Sequence, residues 1–487
     1  MATTAEARTL QNYAGGDWFD SVATEALDDR DPATGELTAR IPLSVAADVD
    51  RAVAAARAAQ PAWREVPPQE RARRVLALRE ALGRHRDELT ALVTADMGKT
   101  LADADGEVGR GIESVESAAA IPHLLKGETL EGVASGIDVE LVRQPVGVVA
   151  AITPFNFPAM IPLWFLPYAV ACGNAFVLKP SERDPRPAQR ICELIDEDQI
   201  FPPGVVNLVH GGREAVESIL HHDGVDAVSF VGQASTARLI ATRSAETGKR
   251  VQALGGAKNS MIVADDADLG TSVPAIMASA FGAAGQRCLA GSVCVIVGDG
   301  NRQAEVRAHL RNAAEELATG PGADPGTDVC PMVTPEARER AETAVAAAED
   351  QGATVLLDGR LGGGDAGAML GPTLVDVADH ESELAREEIF GPVLALVGVP
   401  DLDAAIEFAN GSRYGNAGSI FTTSGAAARA YRWGIEAGML GVNIGVPAPV
   451  AWFPFSGWKD SIDGDLHANG RDAVDFYTRK KVVTSRW

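Results

Sequence analysis

Short apolar runs alternate with amphipathic stretches along the chain from residue 146 onward. Mostly apolar runs of this length predict buried β-strands. They cover residues 146–152, 175–179, 205–209, 227–231 and 250–254. Apolar residues that recur at intervals of three and four predict helices between the strands. These stretches are residues 188–195, 213–220 and 235–247. Such alternation indicates a parallel, doubly wound sheet.

A second series of the same kind begins after Gly256. Its predicted strands are residues 260–264, 292–298, 353–358, 393–399, 419–422 and 439–444. Its predicted helices are residues 269–281, 302–317, 335–350 and 402–408. The sequence therefore predicts an α/β protein with two doubly wound domains in tandem. An Ala-rich amphipathic region at about 50–120 predicts surface helices, and residues 476–487 form a β-favouring segment suited to pairing with a sheet edge.

No side chain is charged from Gln144 to Leu178, a length that resembles a membrane span. Prolines at 154, 158, 162 and 167 interrupt this stretch, and Thr153, Asn156 and Asn174 would lie in lipid beside unpaired backbone groups. We therefore expect a buried strand, a loop and a buried helix here, and no membrane association.

Composition and charge are those of an ordinary globular chain of 487 residues, with 46% hydrophobic and 23% charged residues. The formal net charge of −24 repels phosphate backbones and anionic lipids, which argues against nucleic-acid and membrane-surface partners. Five widely spaced cysteines favour reduced thiols. The first residues carry Glu6 and lack a long apolar core, so we predict no signal peptide and a cytoplasmic location.

Two glycine-containing segments resemble nucleotide-binding motifs only superficially. Residues 362–367 match G-x-G-x-x-G, but no strand immediately precedes them, and we predict a surface loop. Residues 98–100 resemble the end of a P-loop, but Val93 occupies the position of its first glycine, so we predict the end of a helix. Neither a His/Cys cluster nor a G-x-S-x-G motif is present, and we predict no metal site.

Cys288 is the strongest candidate for a reactive residue. It follows a predicted helix, small residues surround it in the sequence, and Arg287 beside it favours a thiolate. A buried, inert thiol is the alternative that this segment alone leaves open.

Seven short motifs along the chain bear on the role of Cys288. They are TPFNFP at 153–158, LKPSE at 178–182, SFVG at 229–232, LGG at 254–256, GQRC at 285–288, EEIFGP at 387–392 and PFSGWK at 454–459. In this order and spacing they resemble the aldehyde dehydrogenase superfamily, over residues from about 13 to 487. Four longer stretches, at 106–116, 154–185, 251–259 and 464–487, are most similar to its coenzyme A-acylating branch, which acts on methylmalonate semialdehyde.

The resemblance implies a role for each motif residue. Cys288 would be the nucleophile, and the Asn156 side-chain amide with the Cys288 N–H would hold the oxyanion. The implied NAD contacts are Thr153, Phe155, Lys179, Glu182, Gly232, Leu254, Glu388 and Phe390. The Glu182 carboxylate would repel a 2′-phosphate and so favour NAD over NADP. Without the resemblance, Asn156 could be a turn residue, and Lys179 and Glu182 could belong to a solvated loop.

Three further positions bear on the reaction. Hydrolytic members of the superfamily usually carry a glutamate before Leu-Gly-Gly, where this chain has Ala253, so attack by water on an acyl enzyme should be slow. Arg110 and Arg287 match the two arginines with which the acylating branch grips a substrate carboxylate. As alternatives, Arg110 could be a surface residue and Arg287 could serve only to tune Cys288.

Together these features predict NAD-dependent, coenzyme A-acylating oxidation of malonate semialdehyde or methylmalonate semialdehyde, with release of CO2. The alternatives are a hydrolytic semialdehyde dehydrogenase and a catalytically silent structural or binding protein. The resemblance implies an NAD-binding domain over residues 1–122 and 146–255 and a catalytic domain over 256–440. Residues 123–145 and 441–487 would form a small β element that builds a homodimer or homotetramer through the C-terminal strand.

Overall fold

The computed structural model describes residues 8–360 and 367–487 of the chain. The strands in this part are β1 (Asn12–Ala14), β2 (Asp17–Phe19), β3 (Ala26–Arg30), β4 (Leu37–Pro42), β5 (Glu128–Ala134), β6 (Ile137–Pro145), β7 (Val148–Ile152), β8 (Ala175–Lys179), β9 (Val206–Leu208), β10 (Ala227–Val231), β11 (Arg250–Leu254), β12 (Asn259–Val263), β13 (Gly291–Val297), β14 (Thr354–Leu357), β15 (Thr373–Asp376), β16 (Val393–Val399), β17 (Tyr414–Gly415), β18 (Ala417–Phe421), β19 (Met439–Val442), β20 (Trp458–Lys459), β21 (Ile462–Asp463) and β22 (Thr478–Arg486).

The helices in the same ranges are α1 (Ala46–Glu65), α2 (Pro68–Arg84), α3 (Arg86–Met97), α4 (Leu101–Ala119), α5 (Ile121–Leu124), α6 (Met160–Ala171), α7 (Arg186–Glu197), α8 (Arg213–His221), α9 (Ala234–Glu246), α10 (Leu269–Phe281), α11 (Gly300–Glu315), α12 (Pro335–Asp350), α13 (Glu383–Arg386), α14 (Leu402–Asn410), α15 (Gly425–Gly434) and α16 (Gly470–Tyr477). A short 3-10 turn covers Gly282–Gly285. Of the glycine-rich segment at 362–367, only Gly367 is among the described residues.

The first sheet has eight strands in the order β2-β1-β9-β8-β7-β10-β11-β21. Its five central strands, from β9 to β11, run parallel to one another. They are the strands that the apolar runs predict. Every residue of β7, β8 and β10 is buried, because helices cover both faces of the sheet.

The second sheet has seven strands in the order β14-β15-β16-β13-β12-β18-β19. All neighbours are parallel except β14 and β15. Helices α10 and α12 begin and end at the residues predicted. The N-cap Thr334 accepts a hydrogen bond from the Ala337 N–H, and Pro335 occupies the first helical position, which explains why that start was readable from the sequence. The prediction of an α/β fold with two parallel-strand sheets is therefore confirmed.

The uncharged stretch forms β7, a loop and α6, as predicted. Every residue of α6 is buried, which explains why the sequence has no polar face there. Within residues 8–360 and 367–487, no helix is long and apolar enough to cross a membrane. The predicted helix end at 98–100 is also confirmed, because Gly98 adopts a left-handed conformation (φ 91°) directly after α3.

The C-terminal segment pairs with a sheet edge, as predicted, but its strand is shorter than the predicted segment. Phe476 and Tyr477 are the buried end of α16, so the strand begins only at Thr478. Strand β22 pairs antiparallel with β6 of the same chain over its whole length, in a three-stranded sheet of order β22-β6-β5. Sequence propensity identified the strand but not its partner, because β6 lies more than 300 residues earlier in the chain; only the family resemblance grouped the segment with residues 123–145. The outer edge of β22 has no neighbour among the described residues.

Candidate active site

Several predicted site residues lie at the carboxyl ends of neighbouring strands in the first sheet. Lys179 ends β8, Thr153 follows β7, Gly232 follows β10 and Leu254 ends β11. The Thr153 N–H donates to the Lys179 carbonyl at 3.0 Å, and the Gly232 N–H donates to the Leu254 carbonyl at 3.0 Å. Ligands of open α/β sheets bind at this edge.

A cavity of about 690 Å³ opens beside this edge. It lies between the two sheets' loops, and its lining includes Phe155, Asn156, Gly232, Gly256, Cys288, Glu388 and Phe390. We call it the wide cavity. Helix α9 begins next to it at Ala234, and its N-cap Gln233 forms no side-chain hydrogen bond with the first turn. The first amides of α9 are therefore available to an anion.

Lys179 and Glu182 do not line the wide cavity. Their side chains form an ion pair, with Lys179 Nζ 2.7 Å from Glu182 Oε2, and Lys179 is almost fully buried. Burial raises the pKa of Glu182, but attraction to Lys179 outweighs it and leaves the pKa below its usual value. Lys179 thus ends a buried strand, whereas Glu182 lies in the loop that follows, with 37% of its side chain exposed.

The segment that carries Cys288 follows a tight turn. Ala283 and Ala284 adopt left-handed conformations, with φ of 51° and 52°. The Ala283 N–H donates to Asp103 Oδ2 at 3.0 Å, which anchors the turn to α4. Gly285 continues it at φ 69°, and a Cβ there would lie 2.2 Å from the Gly391 carbonyl oxygen. The motifs at 285–288 and 387–392 are thus packed against each other, and only glycine permits it.

The carbonyl oxygen of Cys288 accepts two side-chain hydrogen bonds. Asn259 Nδ2 and Asn416 Nδ2 each donate to it at 2.8 Å. The Cys288 N–H, in contrast, donates to no oxygen among the described residues. This backbone donor is therefore available to a bound ligand.

Cys288 is a half-buried residue, whereas the other four cysteines are buried. Burial by the surrounding protein and the nearby Glu388 carboxylate raise the pKa of Cys288 to about 12. Burial likewise raises the pKa of Glu388 to about 7. Glu388 Oε1 accepts a hydrogen bond from the Ala257 N–H at 3.0 Å, which fixes the carboxylate beside Gly256. In the absence of ligands the thiol is therefore protonated at neutral pH.

Cys288 also lines a second, smaller cavity of about 280 Å³, which we call the narrow cavity. Both predicted arginines, Arg110 and Arg287, lie in its wall. Arg110 Nη1 is 2.7 Å from Glu113 Oε2 and remains partly exposed. Arg287 Nη2 donates to the carbonyls of Ala278 and Ser279, and its Nε has no partner among the described residues. Arg110 is thus a cavity residue as well as a helix surface residue.

Phe155 and Phe390 meet across the wide cavity. Their ring centroids are 5.7 Å apart and the rings are nearly perpendicular. Phe390 adopts a left-handed conformation (φ 58°), an uncommon one for an aromatic residue, which directs its ring toward Phe155. The structure therefore brings Phe155, Asn156, Gly232, Glu388 and Phe390 together around Cys288.

Sequence reasoning missed four residues of this site. Lys99 and Glu107 line the narrow cavity, and Asn259 and Asn416 hold the Cys288 carbonyl. No short motif contains two of them, so only the folded chain reveals their proximity. In residues 8–360 and 367–487, no group of three His, Cys, Asp or Glu side chains is arranged to hold a metal ion.

The model of the aldehyde dehydrogenase family matches residues 18–483 of this chain. The chain belongs to the aldehyde dehydrogenase family. Malonate-semialdehyde dehydrogenase 1 of Geobacillus kaustophilus is 49% identical over 487 residues, which cover 100% of this chain and 99% of the relative.

Two solved structures of aldehyde dehydrogenase fold are similar over almost the whole length. The methylmalonate-semialdehyde dehydrogenase of Oceanimonas doudoroffii is 44% identical, with a TM-score of 0.96, and the match covers 99% of this chain and 98% of that one. A Sinorhizobium meliloti protein, crystallised as a complex with NAD, is 40% identical, with a TM-score of 0.96 and coverage of 100% and 99%. The similarity places the fold firmly in the aldehyde dehydrogenase family.

Proposed function

We propose that this chain is an NAD-dependent, coenzyme A-acylating dehydrogenase of malonate semialdehyde or methylmalonate semialdehyde. The observation that carries the proposal is that Cys288 lines two cavities at once. The wide cavity has glycines and an uncapped helix start, and the narrow one has two arginines. One side therefore suits a dinucleotide and the other a short anionic aldehyde.

The narrow cavity accounts for the substrate class. Arg110 and Arg287 supply guanidinium groups for a carboxylate, which planar donors bind in pairs. Phe157, Trp164 and Phe455 form apolar wall, which suits a short carbon chain. The relatives described above carry the names malonate-semialdehyde and methylmalonate-semialdehyde dehydrogenase, and these names support the same class.

The residues around the wide cavity fit NAD. The Thr153 hydroxyl is buried without a hydrogen-bond partner among the described residues. A Cβ at Gly256 would lie 2.7 Å from Glu388 Oε2, so the chain passes close to that carboxylate. We propose that Gly232 and α9 hold the pyrophosphate and that Glu388 and Phe390 hold the nicotinamide ribose. Lys179 and Glu182 would hold the adenosine ribose, with Thr153, Phe155 and Leu254 beside the cofactor.

The protein's own groups account for the chemistry at the aldehyde. Cys288 loses its proton and attacks the carbonyl carbon, and the new oxyanion accepts hydrogen bonds from the Asn156 amide and the Cys288 N–H. The adduct gives up its hydride to bound NAD, which leaves a thioester on Cys288. The substrate carboxylate leaves as CO2 while the acyl group is on the enzyme, and the α-carbon takes up a proton from water in its place. Attack by the coenzyme A thiol then forms acetyl-CoA or propionyl-CoA and frees Cys288.

Ala253 favours coenzyme A over water as the acyl acceptor. Its methyl side chain is fully buried and offers no base at the position where hydrolytic members carry a glutamate. A hydrolytic semialdehyde dehydrogenase remains the alternative.

The remaining parts of the proposal concern organisation. Residues 1–122 and 146–255 would bind NAD, 256–440 would carry the catalytic loop, and 123–145 and 441–487 would form the assembly element of a homodimer or homotetramer. We also propose that the enzyme acts in the cytoplasm, because all five cysteines are free thiols.

The test is a single-turnover assay of the purified full chain with NAD and malonate semialdehyde. We expect a burst of NADH near one equivalent per site without coenzyme A, and steady formation of acetyl-CoA once it is added. Cys288→Ala should abolish the burst, and Cys294→Ala, a buried strand residue, should retain it. Steady NADH formation with release of free acid, without any thiol, would favour the hydrolytic alternative.

A further inference from the structure

A fully buried ion pair belongs to the wall of the narrow cavity. Lys99 Nζ and Glu107 Oε2 are 2.5 Å apart, and neither side chain exposes any surface. Burying two charges is costly unless their other hydrogen-bonding groups are also satisfied. Lys99 and Glu107 therefore need further contacts in the surrounding protein that satisfy their charged groups.

The second carboxylate oxygen of Glu107 contacts the start of α6. Glu107 Oε1 accepts hydrogen bonds from the N–H groups of Ala159, at 2.8 Å, and Met160, at 3.1 Å. Helix starts leave such amides without partners, and the N-cap Ala159 has no side chain that could accept one. Glu107 on α4 thus takes the place of the missing cap and fixes the residues that lead into α6.

Lys99 contacts the same segment at a second point. Its Nζ lies 3.7 Å from the centroid of the Phe157 ring, a cation–π distance. Phe157 directly follows Asn156, and its ring shares the wall of the narrow cavity with Lys99 and Glu107. The ion pair therefore holds the chain on the carboxyl side of Asn156 through one aromatic ring and two amides.

We propose that Lys99 and Glu107 are positioning residues that set the Asn156 amide at the oxyanion site, an inference that rests on the proposed role of Asn156. Asp103, one turn earlier on the same face of α4, anchors the turn before Cys288 through the Ala283 N–H. One helix thereby sets the distance between both oxyanion donors.

The test compares Glu107→Gln with the wild type. Glutamine keeps an acceptor oxygen for the two amides but leaves the Lys99 charge unpaired. We expect the rate constant of the NADH burst to fall by about 10- to 100-fold, with semialdehyde and propanal affected alike, because small displacements of catalytic groups cost that much. The KM for aldehyde and the affinity for NAD should stay unchanged. Glu116→Gln, on the exposed surface of the same helix, is the matched control.

The double variant Lys99→Met/Glu107→Gln separates positioning from stability. The unpaired Lys99 charge should lower the melting temperature of Glu107→Gln, and removing both charges should return it to the wild-type value. The rate constant of the NADH burst should nevertheless remain at least about tenfold below that of the wild type. A wild-type burst rate in Glu107→Gln, or full recovery of rate in the double variant, overturns the inference.

Hydrogen exchange gives a readout that does not depend on turnover. The amides of Ala159 and Met160 should exchange faster in Glu107→Gln, because a charged acceptor binds them more strongly than a neutral one. Unchanged exchange overturns the positioning role, even if the enzyme proves to act on another substrate. Absence of an NADH burst in the wild type, with faster exchange in the variant, refutes the proposed function alone.

Discussion

Asn416 holds Cys288 from across the fold: its Nδ2 donates to the Cys288 carbonyl oxygen at 2.8 Å, although 128 residues separate them. Asn416 precedes β18, and Asn259, which begins β12, makes the same contact from a neighbouring strand. The two amides fix the peptide group between Cys288 and Leu289, on the carboxyl side of the thiol. The Cys288 N–H belongs to the preceding peptide group, so these contacts hold the Cys288 Cα in place but do not bond that donor. A fixed backbone at the thiol is a form of the preorganisation that oxyanion stabilisation requires.

Substitution of Arg110 should change substrate preference. In Arg110→Leu we expect kcat/KM for malonate semialdehyde to fall by about 30-fold, or about 2 kcal/mol, because the substrate carboxylate loses a charged hydrogen-bond partner. The kcat/KM for propanal should change little. Arg79→Leu, whose side chain pairs with Glu116 outside the cavity, is the control. Equal losses on both aldehydes would leave Arg110 only a structural role.

The pH dependence of thiol alkylation should depend on Glu388. Burial and the Glu388 charge raise the pKa of Cys288 to about 12, so iodoacetamide should react faster with every rise from pH 7 to pH 10. Removing a negative charge lowers the pKa of a neighbouring thiol. In Glu388→Gln, alkylation at pH 8 should therefore be about 3- to 10-fold faster than in the wild type.

The control for this experiment is Glu387→Gln, because Glu387 is engaged with Arg413 at the surface. It should alter the alkylation rate much less. Slower alkylation in Glu388→Gln than in the wild type would contradict the electrostatic cause.

Ala253 offers a gain-of-function experiment. The residue precedes Leu254, Gly255 and Gly256, and the two glycines line the wide cavity. In Ala253→Glu we expect the coenzyme A-independent steady rate of NADH formation to rise by at least about tenfold, because the new carboxylate can activate water. Ala253→Gln carries the same bulk without the base and should not show the gain. Equal rates in the two variants would refute a base at this position.

The C-terminal strand should control assembly. Deleting the residues after Tyr477 removes β22 and leaves β6 with an unpaired edge, so we expect aggregation. Val482→Lys keeps the pairing with β6 but puts a charge on an exposed side chain, and light scattering should then report a smaller particle than the wild type. A wild-type oligomer in Val482→Lys would show that assembly uses another surface.

Much of the fold was predictable because local signals agree with burial. Strand β8 is apolar over its buried length up to Lys179, and α12 has both a cap and a proline at its start. Strand β22 shows the limit. Its composition predicts a strand, but its nine-residue pairing with β6 is a long-range contact that no local pattern encodes.

The site was predictable only where motifs are contiguous. Cys288, Asn156 and Glu388 lie in short segments whose resemblance is strong, and the fold brings all three to the wide cavity. The sequence around Lys99 did not indicate a site residue, since the segment 98–100 predicts only the end of a helix. Its burial against Glu107 arises from the packing of α4 on α6, which amphipathic periodicity alone cannot specify.

Because the cysteines differ in burial, the number of reactive thiols per chain measures whether the protein is folded. Four of the five cysteines are buried in the protein interior, and Cys288 is the one that lines the wide and narrow cavities. A chromogenic disulfide reagent should therefore titrate one thiol in the native protein and five in denaturant. A count between one and five thiols per chain measures the unfolded fraction of a preparation. Bound NAD should prevent the reaction of the single thiol in the native protein without changing the count of five in denaturant.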